Sequence, residues 1–373
     1  MNTNFQTLMR QATELTQAGS LNEATAAIQR ALHSTSADGA TTAPTWAWPG
    51  ASGPDNASVA DSPLVLEDCA FEVDALVPAA GEFTSGSHTL GALTRRYKLY
   101  TPPSQGDQPM PLVVMLHGCT QNPDDFAAGT SMNQRAREQG FCVLYPEQSQ
   151  EANPSRCWNW FKHNHQQRDS GEPALLASMT QSVIKQQGID PRRVFIAGLS
   201  AGGAMAAIVA GAYPEIFAAV GVHSGLPTGA ASNVAEALTV MKSGEPGMAM
   251  PGKGGRLGAA IKSPLRPQTS VPTIVFHGDH DTTVHPRNGE KVIAAVLGSG
   301  TAGPHVEQGV SARGRRYTRS TRRAEHGRVV TEHWLVHGAG HAWSGGSAEG
   351  SYTDGSGPDA TREMLRFFFE QQV

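Results

Sequence analysis

Short β-rich runs recur along most of this chain at intervals of about one helix, and few architectures accommodate that alternation. Arg96–Tyr100, Leu112–Leu116, Phe141–Tyr145, Val194–Ala197, Ala219–Val222, Thr273–Phe276 and His333–Val336 read as strands. Asp124–Gln139, Glu172–Gln187, Ala201–Ala212, Gly289–Leu297 and Ala360–Gln371, lying between or after them, read as helices. Most of the strands are apolar throughout rather than alternating, as expected when both faces of a sheet are covered. The prediction is an α/β fold with a mostly parallel central sheet flanked by helices.

Three segments depart from the alternation. Phe5, Leu8, Met9, Ala12 and Leu15, then Ala24, Ala27, Ile28, Ala31 and Leu32, follow helical spacing on either side of Gly19, which predicts a helical hairpin over residues 1–33. Ser20 and Glu23 supply a capping box for its second helix. Residues 34–68 are rich in Ala, Ser, Thr, Gly and Pro with no period, and read as a linker. The catalytic-type unit is therefore expected over 69–373. Within it, Pro227–Ser270, rich in Gly, Pro and Met, is expected to form a cap or rim. Tyr317–Ala324 and Val329–Val336 read as a β-hairpin, and the seven arginines between Arg313 and Arg328 fall on both of its faces, as in a solvated hairpin.

The most specific chemistry lies in Gly198-Leu199-Ser200-Ala201-Gly202, which follows the strand Val194–Ala197 and opens an Ala-rich helix. A serine on such an elbow needs glycines where a Cβ would clash, and the helix N-terminus behind it favours developing negative charge. A hydroxyl is a poor nucleophile until a base takes its proton, so an acid and a histidine must follow. They do. His277-Gly278-Asp279-His280-Asp281-Thr282-Thr283-Val284 follows one strand and His337-Gly338-Ala339-Gly340-His341-Ala342-Trp343 follows the last. Spacing leaves Asp279 and Asp281 both open as the acid. His341 is preferred to His337 because it lies beyond the strand on a glycine-flanked loop. The order serine, acid, histidine is that of an α/β-hydrolase fold. Upstream, the His117-Gly118-Cys119 turn after strand Leu112–Leu116 makes the Cys119 amide one oxyanion donor and the Ala201 amide the other, with His117 buttressing the turn.

Composition closes off other classes. A net charge of −4 gives no global field for nucleic acid or anionic membranes, and no stretch of ~18 apolar residues is present to span a bilayer. The four cysteines Cys69, Cys119, Cys142 and Cys157 have no metal-ligand spacing. His333, His337 and His341 recur every four residues, but glycines and β-formers around them break any helical metal stripe. No metal or cofactor is expected, and the expected partner is an ester substrate. Oligomeric state is not legible.

Five segments in order, His117-Gly118-Cys119-Thr120-Gln121, Cys157-Trp158-Asn159-Trp160-Phe161, the Ser200 elbow, the His277–Val284 loop and Gly340-His341-Ala342-Trp343-Ser344-Gly345-Gly346, resemble the poly(3-hydroxybutyrate) depolymerase family of esterases, from about Gly91 onward. That family is related to feruloyl and acetylxylan esterases. The resemblance implies Asp281 as acid, His341 as base and a disulfide between Cys119 and Cys157. It also implies substrate contacts from Gln121, Trp158, Trp160 and Trp343; for each tryptophan, core packing is the competing reading. The implied activity is hydrolysis of 3-hydroxyalkanoate polyesters or their oligomers. The alternatives are a feruloyl, acetyl or short-chain aryl esterase, or a non-catalytic binding protein on the same scaffold. No secretory signal is visible in Met1–Arg10, which implies a cytoplasmic protein, whereas the resemblance and the disulfide allow an extracellular one.

Overall fold

The computed structural model describes residues 80–103, 106, 108–245, 271–297, 302–325 and 327–371. The expected hairpin at 1–33, the linker at 34–68 and the rim beyond residue 245 lie outside the described residues.

Ten strands form one sheet, in the order β1-β2-β4-β3-β5-β6-β7-β10-β9-β8. They are β1 (Glu82–Leu90), β2 (Leu93–Thr101), β3 (Leu112–Leu116), β4 (Cys142–Pro146), β5 (Val194–Leu199), β6 (Ala219–His223), β7 (Thr273–Gly278), β8 (His305–Val310), β9 (Arg316–Arg323) and β10 (Val329–Val336). A parallel pair, β11 (Trp343–Ser344) and β12 (Thr353–Asp354), follows. The six central strands run parallel, with Val194 opposite Leu112, Phe195 opposite Ala219 and Thr331 opposite Thr273. Antiparallel strands β1 and β2 close one edge, and β8 and β9 the other.

Seven α-helices are described: α1 (Pro123–Thr130), α2 (Met132–Gln139), α3 (Gly171–Gln187), α4 (Ala201–Ala212), α5 (Val234–Ser243), α6 (Arg287–Val296) and α7 (Ala360–Glu370). The period-two geometry of the strands divides the core into two layers. Leu112, Val114 and Leu116 pack with α3, α4 and α6 through Leu176, Met205 and Val292. Val113 and Met115 point to the opposite layer, where Phe126, Met132, Met364 and Phe368 supply α1, α2 and α7. Because β3, β5, β7 and β10 are parallel, their C-terminal ends deliver the turns at 117–121, 200, 279–284 and 337–341 to a single rim.

Four elements differ from the sequence pattern. The single helix expected over Asp124–Gln139 is two, broken at Ser131, which takes φ 52°. There Thr130 turns its hydroxyl back on Phe126 O (2.7 Å), and Thr130 O accepts a bond from Thr361 Oγ1 (2.7 Å), so tertiary partners interrupt the ladder. Strands β1 and β8 carried no apolar signal because each has one bonded neighbour and wide solvent exposure. Within the expected rim, residues 234–243 are helical.

Candidate active site

Ser200 joins β5 to α4 with φ 57° and ψ −120°, a conformation costing roughly 1–3 kcal/mol for a residue with a Cβ. Its own backbone holds it there: Ser200 N donates to His223 O (2.8 Å), and Ala204 N donates to Ser200 O (2.9 Å). The flanking glycines are sterically required. A Cβ on Gly202 would lie 2.1 Å from Leu116 O, and one on Gly198 would lie 2.4 Å from the Gly202 carbonyl carbon.

Both carboxylates left open by spacing have a histidine of their own. Asp281 Oδ2 bonds His341 Nδ1 at 2.7 Å, while Oδ1 accepts from the amides of Thr283 (2.9 Å) and Val284 (2.8 Å). His277 Nε2, 2.8 Å from Val284 O, lies 3.4 Å from the same Oδ2. Burial alone would raise the Asp281 pKa, but the two imidazoles hold it far below the usual carboxylate range. Asp279 Oδ2 bonds His337 Nδ1 at 2.8 Å, and the far nitrogen of that ring is 2.8 Å from Thr318 Oγ1.

The turn after β3 is braced from beneath. His117 Nε2 accepts from Gln148 N (3.1 Å), so Nδ1 carries the proton and donates to Gly118 O (2.7 Å). Burial lowers the His117 pKa to about 4, which keeps the ring neutral. Across a trans peptide, anchoring the Gly118 carbonyl turns the Cys119 N–H the other way. Gly118 N donates to Gln121 Oε1 (2.9 Å) and Thr120 N to Ser155 O (2.7 Å), whereas the Cys119 amide has no partner among the described residues. The Ala201 amide, first in α4, has none within its helix. A disulfide joins Cys119 to Cys157, with Cα atoms 4.2 Å apart. Cys142 is buried with a free thiol, and Cys69 lies outside the described residues.

A cavity of about 220 Å³ is lined by Ser200, Ala201, Cys119 and His341. Val234, Ala237, Leu238 and Met241 of α5 form one apolar wall, and Trp160 and Phe161 form another. Polar side chains at its surface include Thr120, Asn153, Thr283 and Tyr352.

The sequence pattern of the family described as "Esterase PHB depolymerase" matches residues 95–320. The chain belongs to that family. Among curated relatives, "Poly(3-hydroxyalkanoate) depolymerase C" of Paucimonas lemoignei is 33% identical over 184 residues, 49% of this chain and 43% of that protein. "Probable acetylxylan esterase A" of Neosartorya fischeri is 29% identical over 210 residues, 54% of each. The chain thus spans about half the length of the curated relatives it matches. The solved structure of acetyl xylan esterase from Aspergillus awamori superposes with a TM-score of 0.57 at 20% identity, covering 77% of this chain and 99% of that one, and supports the α/β-hydrolase fold.

For this member of the family, two expected substrate contacts are corrected. Trp158 is fully buried, its indole N–H donating to His117 O (3.1 Å), so it supports the turn from below. Trp343 is equally buried; it donates to Thr361 Oγ1 (3.0 Å) and stacks on His223 at 5.0 Å. An indole donor that already has an internal partner and no exposed face cannot meet a ligand. Of the three tryptophans only Trp160 reaches the cavity. Gln121 reaches its edge, but both ends of its amide are engaged, by Gly118 N and by Asp125 Oδ2 (2.8 Å), so it fixes the turn.

Two contributors went unpredicted. The α5 wall has a helical signal in the i, i+3, i+4, i+7 spacing of residues 234, 237, 238 and 241, set within a stretch otherwise rich in Gly and Pro. Glu172 carried no signal beyond a helix start. Fully buried, it accepts from Asn159 N (2.8 Å) and Asn159 Nδ2 (2.7 Å), holding the segment that bears Cys157 and Trp160. Burial pushes its pKa up, but His165, Gln148 and the Asn159 amide together outweigh this and keep it ionised.

Proposed function

We propose that the chain is a serine ester hydrolase acting on 3-hydroxyalkanoate polyesters or their oligomers. The observation that carries the reading is the convergence on one apolar cavity of the Ser200 elbow, the Asp281-bonded His341 and the Cys119 and Ala201 amides. Ser200 Oγ attacks the ester carbonyl and His341 takes its proton. The two amides receive the oxyanion, and Asp281 steadies the imidazolium. Collapse breaks the ester C–O bond as His341 gives the proton to the leaving alcohol; water repeats the sequence on the acyl-serine. The apolar α5 wall suits an aliphatic acyl group. The Cys119–Cys157 bond supports a life in an oxidising compartment. The unit boundary near residue 69 remains the proposed one.

A second reading, an acetyl or other short-chain esterase, is favoured by the size of the cavity, about 220 Å³, and by the acetylxylan esterase relatives. The two separate on kcat/KM for the dimer, trimer and tetramer of 3-hydroxybutyrate, measured beside methyl ferulate and p-nitrophenyl acetate. A polyester hydrolase draws binding energy from remote units, so the value should rise with length. Rapid p-nitrophenyl acetate turnover with none of any oligomer would favour the second reading.

A further inference from the structure

A second concavity, of about 540 Å³, lies on the same rim and shares no lining residue with the cavity at Ser200. Its walls come from the loops after β7 and β10 and from the turn between β8 and β9. Asp279, the only carboxylate among its described lining residues, already has both oxygens engaged, Oδ2 by His337 and Oδ1 by the Gly338 amide (2.6 Å). Arg315 is also committed, to Asp354 Oδ2 (3.0 Å), Ser356 Oγ (2.7 Å) and Gly338 O (3.0 Å), and so builds the site rather than serving it.

The two remaining arginines are largely uncommitted. Arg313 donates once, from Nη1 to Gly355 O (3.2 Å), leaving Nε and Nη2 without partners among the described residues. The Arg316 guanidinium has no partner there, and the His280 side chain, 76% exposed, approaches Asp279 Oδ1 at 3.9 Å. Two guanidiniums three residues apart therefore face a polar concavity whose one described carboxylate is already paired, in a chain of net charge −4. An incoming anion relieves their repulsion, and the planar guanidinium fork matches a carboxylate.

We propose that this concavity is a carboxylate site, separate from the catalytic cavity, that takes the acid released by ester hydrolysis. The identity of that acid rests on the esterase reading. The site does not overlap the cavity, yet its walls continue directly into Asp281 and His341. Occupancy should therefore lower kcat without raising KM.

Titration calorimetry on the full chain, with acetate, 3-hydroxybutyrate and inorganic phosphate as probes, tests it directly. The wild type should bind both carboxylates with Kd of roughly millimolar, and Arg313→Gln/Arg316→Gln should bind about ten-fold more weakly. Arg316→Gln alone, which removes no bond among the described residues, should weaken binding in the same direction. With p-nitrophenyl butyrate, 3-hydroxybutyrate should inhibit non-competitively in the wild type. The double variant should lose that inhibition and keep uninhibited kcat/KM within about two-fold. Equal binding by wild type and variant, strictly competitive inhibition, or phosphate binding as tightly as the carboxylates would overturn the assignment. If the p-nitrophenyl ester is not hydrolysed the esterase reading fails, and the calorimetric comparison still decides the site.

Discussion

Asp281–His341 and Asp279–His337 sit on the same two loops and have nearly the same hydrogen bond, 2.7 Å and 2.8 Å. They differ in what surrounds them. The Asp281 side chain is fully buried and His341 12% exposed, whereas Asp279 and His337 are each 30% exposed. Asp281 receives two amides and the imidazoles of His341 (2.7 Å) and the buried His277 (3.4 Å); Asp279 receives one amide, the His337 imidazole (2.8 Å) and a longer approach of the exposed His280 ring (3.9 Å). The far nitrogen of His337 meets Thr318 on a strand, while His341 lines the cavity with Ser200. A carboxylate–imidazole bond is common and weakly diagnostic. In the proposed reading, what sets the inner pair apart is its place beside a serine on a strained elbow and two amides without partners among the described residues.

The largest expected effect separates the two hydroxyls. Ser200→Ala should lower kcat on the order of 10⁶-fold, and a fluorophosphonate should label Ser200 alone, while Thr318→Val should stay within about three-fold of wild type. Residual Ser200→Ala activity above about a hundredth of wild type would dismiss Ser200 as nucleophile.

Next come the acids. Asp281→Asn should cost roughly 10⁴ in kcat because the imidazole takes the wrong tautomer, whereas Asp279→Asn should cost roughly 1 kcal/mol of stability and little activity. The reverse order, read by steady-state kinetics and urea melts, would show that the outer pair is the working one.

The smallest effect concerns the amide that completes only the inner pair's site. The Cys119–Cys157 bond spans 38 residues, so its loss should destabilise the fold by about 4 kcal/mol on a chain-entropy account and loosen the oxyanion turn. Cys119→Ala/Cys157→Ala should therefore lose both thermal stability and kcat. Unreduced wild-type protein should offer Cys142 to alkylating reagents only on unfolding, since burial raises its thiol pKa to about 11. Ready alkylation of Cys119 in oxidised protein would remove the clamp.

The sequence by itself determined the layered α/β order, the elbow and the pair of loops that hold the candidate acids and histidines, while the cysteine partners came only from the family resemblance. Strand burial on both faces writes a continuous apolar run, and an elbow demands glycine at set offsets; both constraints are local and survive in one dimension. Spacing left the partner of each histidine open, and which tryptophans line the cavity was decided only by tertiary structure. Trp158 and Trp160 are two residues apart in one motif, yet one is sealed beneath the turn after β3 and the other lines the cavity. Glu172 likewise acts through bonds to residues 148 and 159, on segments that only folding brings to it. A side chain's exposure depends on what packs over it from elsewhere in the chain, and no local pattern records that.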